Sequence, residues 1–149
     1  SGLTLAAGVA LARCLYWQGR YDEAWDCLQT ESTPASGNAH AAAWRAMRSR
    51  IAAARGLVEE AIVEAAFARD IAGARGDARQ LALAHYATAL VQLAVGDLDQ
   101  AGAAAARAVR EARRAHHLML GACARLLYAE VARRSGRRAA AARIALRFA

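Results

Sequence analysis

Glycine, four residues, alanine: this motif is written four times in the chain. It appears as GRYDEA (Gly19–Ala24), GLVEEA (Gly56–Ala61), GDLDQA (Gly96–Ala101) and, eroded, GRRAAA (Gly136–Ala141). The steps between the glycines are 37, 40 and 40 residues, and each copy stands at the foot of an apolar run. A fixed period of this length predicts stacked helical units, none of which can bury its apolar face alone. The glycine lets one helix stop and the next turn back on it. The alanine five positions on is expected where two antiparallel helices cross too closely for a larger side chain.

The runs before the glycines carry helical spacing. Trp44, Met47, Ile51, Ala54 and Val58 fall on one face, as do Leu83, Tyr86, Ala87, Leu90, Leu93 and Ala94. Acidic residues gather just after the glycines, at Asp22-Glu23, Glu59-Glu60, Asp97 and Asp99. There they complement the positive end of a helix dipole. Alanine supplies nearly three residues in ten and Pro34 is the only proline, which makes the chain all-α by propensity. The pattern places helices at 3–18 and 21–31, 39–55 and 58–74, 78–95 and 98–115, 118–135 and 138–148. They form a single array with repeats at about 1–35, 36–75, 76–116 and 117–149. The segment TESTPASGN reads as a loop and GARGD as a shorter link. Between the third and fourth repeats, Arg113-Arg114-Ala115-His116-His117 must turn with neither glycine nor proline.

Charge and cysteine content narrow the function classes. The net charge is +7, all twenty basic residues are arginine, and residues 107–149 hold eleven of them against Glu111 and Glu130. Such asymmetry suits an anionic partner, nucleic acid included. Arginine interrupts every long apolar stretch, so no membrane span is expected. No positive leader precedes the apolar start, so no signal peptide is read; the chain is expected to begin inside a helix, as a fragment of a larger cytoplasmic protein would. Cys14, Cys27 and Cys123 show no paired spacing and read as free thiols.

CLYWQGRYDEAWDCL resembles the turn and second helix of a tetratricopeptide repeat: glycine, an aromatic residue two positions later, Glu-Ala, then a periodic helix. The glycine and alanine match in all four units, whereas the aromatic survives only as Tyr21, replaced by Val58, Leu98 and Arg138. The 37–40 residue step exceeds the family's usual 34. Long repeats rich in alanine and arginine are similar to the helical sensor regions of large bacterial transcription activators. The resemblance implies a right-handed α-solenoid of about four antiparallel hairpins. It also implies a non-enzymatic interaction or signal-receiving segment whose partner is a peptide, a protein domain or another domain of the same chain.

Aligning the units by their glycines stacks polar positions of the first helices: Arg45, His85 and Arg125 on one rung, Arg48, Thr88 and Tyr128 on the next, then Gln92 between Ala52 and Ala132. Equivalent positions of a solenoid form rows, and this row is expected to line a partner-binding groove suited to carboxylate or phosphate. The alternative is a solvated face of each first helix. A basic patch is expected at Arg107, Arg110 and Arg114, spaced i, i+3, i+7, with nucleic acid a competing partner and a small-molecule sensor a third reading. Tyr16, Trp17, Tyr21 and Trp25 read as core and cap, Trp17 being the exposed one. His116-His117 cannot act as an i, i+4 metal pair. No phosphate loop, nucleophile setting or cofactor motif occurs, so neither an enzyme nor a cofactor is expected. Apolar surface on the end units would allow weak self-association.

Overall fold

A computed structural model describes residues 2–29 and 33–147, and it is all-helical. The helices are α1 (Gly2–Trp17), α2 (Tyr21–Gln29), α3 (Ala41–Ala54), α4 (Val58–Arg75), α5 (Ala78–Val95), α6 (Leu98–Arg114), α7 (Leu118–Arg134) and α8 (Arg138–Leu146). The expected bounds hold to within two residues where they can be compared; residues 30, 31 and 148, assigned to helix from the pattern, lie outside the described ones. Each helix packs on the next, giving four hairpins in chain order. The odd-numbered helices also pack on one another, α1 on α3, α3 on α5 and α5 on α7, whereas among the described residues the even-numbered ones do not. The result is an α-solenoid of two layers, closed along the first helices and splayed along the second.

The corners explain the period. Gly19, Gly56, Gly76, Gly96 and Gly136 all adopt positive φ, from 66° to 84°. His116 fills the glycine-less corner with φ 51°, as the only described residue other than glycine in that region. From position 56 onward a left-handed residue therefore stands every 20 residues. At Gly56, Gly96, His116 and Gly136 the next amide donates to a carbonyl five residues back, for example His117 N–H to Ala112 O at 2.9 Å, as Arg137 does to Ala132. That bond closes the helix end and requires the left-handed residue. Asp77, Asp97 and His117 then cap the following helices, accepting from the amides of Gln80, Gln100 and Leu120. A left-handed L-residue costs about 1–2 kcal/mol and glycine gives back part of that in chain entropy. His116→Gly should therefore stabilise the chain by about 0.5 kcal/mol, read as a higher urea midpoint at unchanged slope.

The motif alanines sit where the spacing put them. Ala24, Ala61 and Ala101 are fully buried and Ala141 nearly so. Ser49, itself buried, donates from Oγ to the Ala61 carbonyl at 2.7 Å, so the backbones of α3 and α4 approach closely there. Ala61→Leu or Ala101→Leu should overpack its hairpin and cost roughly 1–3 kcal/mol; an unchanged melting midpoint would show that the corner can absorb the added carbons. Trp44, Met47 and Ile51 are core as expected, but Ala54 is exposed and Val58 belongs to the next helix. The apolar face of α3 ends one turn earlier than its spacing suggested.

Candidate functional site

The expected polar row is not a single open surface. Arg45 and Arg48 project from α3 onto α4, where Arg45 Nη1 meets Glu64 at 2.9 Å and Arg48 meets Glu64 at 3.2 Å and Glu60 at 2.9 Å. The Glu64 side chain is 8% exposed, and the Arg48 guanidinium lies over the rings of Trp25 and Trp44 at 4.3 and 4.9 Å. Arg45 stacks over Phe67 at 4.8 Å. A carboxylate fork facing two guanidinium groups inside a hairpin neutralises them and turns them away from a partner, although Arg45 Nε is left without an acceptor. For these two residues the groove assignment is corrected: they tie α3 to α4. Glu60 has a matching double role, at the dipole end of α4 and as an ion-pair partner.

The remaining rungs are divided. Thr88 is buried and its hydroxyl donates back to the Ala84 carbonyl of its own helix, so that proton is not offered to a partner. Gln92 shares with Thr88 a small cleft between α4 and α5. Arg125 and Tyr128 line a cleft of about 300 Å³ with Arg113 and Arg147, and Tyr128 also packs against the core of the third and fourth units. The row thus faces the second-helix layer, not the surface of the first.

His85 is half-buried, with its Nδ1 enclosed and without a partner. Burial above all, and then the positive charges of Arg107, Arg69 and Arg110 against the opposing pull of Glu111, hold its imidazole below the ordinary 6.5. The unfolded chain therefore takes up a proton near 6.5 that the folded chain resists, and stability falls as pH drops from that value. Melts at pH 7.5 and pH 5 should show the loss, and His85→Phe should shrink it.

Arg107, Arg110 and Arg114 are all exposed on α6, as the spacing predicts, and Arg114 is paired to Glu111 at 2.8 Å. In the first hairpin Tyr16 packs against Tyr21 across the corner at 5.4 Å, Trp25 is buried, and Trp17 is 61% exposed, in line with the sequence. Among the described residues the cysteines are free, no cluster suits a metal ion, and no helix is long and apolar enough to cross a membrane.

The spacing did not reveal what lies on the first-helix layer. A cleft of about 480 Å³ opens between α1, α3 and α5. Val9, Met47 and Leu83 supply apolar lining, and Arg13, Arg50, Arg75, Arg79 and His40 stand around it with Asp77 as the single acid. Arg50 is the unusual member. It is 6% exposed, its Nε and Nη2 are buried with no hydrogen-bond partner, and it lies among the rings of Tyr16 at 4.6 Å, Tyr86 at 5.2 Å and Trp17 at 5.5 Å. Ring faces satisfy the cation's charge but do not supply in-plane acceptors. Gln80, 7% exposed, donates from Nε2 to the Ala39 carbonyl at 2.7 Å and to Asp77 at 3.2 Å, which leaves its Oε1 buried without a donor. One signal in the sequence could have pointed here: Arg13 stands six residues before Gly19, and Arg50 six before Gly56. The chain matches no protein-family model, no curated protein and no solved structure.

Proposed function

We propose that this chain is a non-enzymatic, tetratricopeptide-like interaction scaffold, a regulatory or sensor segment of a larger bacterial signalling or transcription protein. It holds an acidic segment of its partner against the first-helix layer. One observation carries the reading. The cleft between α1, α3 and α5 gathers four arginines against one aspartate, whereas Arg45 and Arg48 are neutralised within their own hairpin. Among the described residues none of the four cleft arginines is paired with a carboxylate, although Arg75 donates to the Gly37 carbonyl at 3.0 Å, and arginine forks on an apolar cleft favour carboxylate-rich chains. The volume also falls in the range of formed ligand pockets.

The exposed arginines of α6 support a second reading, an anionic polymer bound to the second layer. Fluorescence anisotropy separates the two, with a labelled acidic peptide and labelled DNA, duplex and single-stranded, each at near-physiological salt. Arg13→Glu with Arg79→Glu should abolish peptide binding, and Arg107→Glu with Arg110→Glu should leave it unchanged. DNA binding that survives the salt and is lost only with the α6 pair would transfer the function to that face.

A further inference from the structure

The deep end of the cleft has a more specific chemistry than its charge. This step rests on the reading above only in taking the first-helix layer as the binding side. We propose that Arg50 and Gln80 are the two poles of a carboxylate-recognition site, for a ligand with a carboxylate at one end and an amide N–H or hydroxyl donor at the other.

Each pole lacks one kind of partner. Nε and Nη2 of Arg50, both buried without a partner, form the edge of the guanidinium that a carboxylate meets with two parallel hydrogen bonds. That planar, two-donor edge matches a planar carboxylate. Gln80 cannot turn its amide without losing both Nε2 bonds, so its Oε1 stays an acceptor in need of a donor. A buried orphan of either kind costs about 1–3 kcal/mol, more for a charged group, and one ligand would relieve both. Between the poles Met47 and Leu83 offer an apolar wall. Access falls to Trp17: Nε and Nη2 are closed to water, and Trp17 is the most exposed of the three rings around Arg50. Ligand binding displaces that ring.

A small organic acid and an acidic side chain of a docked peptide both supply this chemistry, and one titration series tells them apart. The probes are N-acetyl-trialanine as the free acid and as the amide, and a blocked alanine pentapeptide with one central glutamate or with glutamine in its place. Tryptophan emission is the readout, because Trp25 and Trp44 are buried and Trp17 alone stands at the door. A carboxylate form binding at least tenfold more tightly than its amide upholds the site. Tight binding by the free acid assigns it to small acids, and tight binding by the glutamate peptide assigns it to side chains of a partner. Arg50→Gln should erase the acid-over-amide preference, Gln80→Leu should weaken both acids several-fold, and Trp17→Phe should remove the signal while calorimetry still records binding. Equal binding of acid and amide overturns the proposal, as does a preference that survives Arg50→Gln or the absence of binding by every probe at millimolar concentration. If Arg50→Gln fails to fold, the acid-against-amide comparison on the wild-type chain decides alone. An acidic peptide that still binds through Arg13 and Arg79, with no carboxylate preference at Arg50, would sink this proposal and leave the scaffold reading standing.

Discussion

Glu64→Ala is expected to cost about 3–5 kcal/mol. The substitution removes the carboxylate that joins Arg45 to Arg48 and leaves two largely buried guanidinium groups side by side on α3, facing α4 with no acid between them. Glu60 still reaches Arg48, but its side chain is 40% exposed and does not reach Arg45. In a chain of this size the loss corresponds to a melting point lower by roughly 10 °C. The opposite substitution sharpens the argument. Replacing Arg45, Arg48 and Glu64 together by methionine removes the desolvation cost along with the pairing, and should come out near neutral. Thermal denaturation of the two variants beside the wild type checks both statements. A Glu64→Ala melt within 2 °C of the wild type would mean that the arginines swing out to water at little cost.

Trp44→Ala should follow closely, at about 3–5 kcal/mol. Trp44 is 2% exposed, belongs to the core shared by the first and second hairpins, and forms a ring surface under both Arg45 and Arg48. The cost combines lost burial, a cavity and a lost cation–π surface. Its Nε1 has no partner, so Trp44→Phe gives up no hydrogen bond and keeps most of the filling; it should cost about 1 kcal/mol. Urea unfolding of the pair measures the difference. If phenylalanine proved as damaging as alanine, the site would depend on the indole's size more than on the presence of an aromatic ring.

The architecture was legible in the sequence because the corners are written in glycine and alanine, whose roles are local. Gly56 and Gly96 turn the chain wherever they stand, and Ala61 and Ala101 permit contact by being small. The corner at His116 was not legible, since histidine adopts the left-handed region seldom and nothing in ARRAHHLM marks the residue that does. The site was read less well for a physical reason. Helical spacing places Arg45 and Arg48 on one face, but which neighbour that face meets depends on how two layers stack. The clue was Glu64, a lone acid in the apolar run AIVEAAF, which needs a cation inside. Arg50 was hidden for a related reason: its surroundings come from Tyr16, Trp17 and Tyr86, on two other helices.

The 20-residue beat of the corners makes the chain look freely divisible. Joining position 56 to position 97 would delete two helices and match one joint to its twin, with no linker to invent. The side chains forbid the shortcut. After that splice Glu60, Glu64 and Phe67 would give way to Gln100, Ala104 and Arg107. Arg45 and Arg48 would then look across the hairpin at no carboxylate and at a third guanidinium. Backbone geometry allows the corners to be joined, but the charge lock inside the second hairpin fixes which second helix α3 accepts.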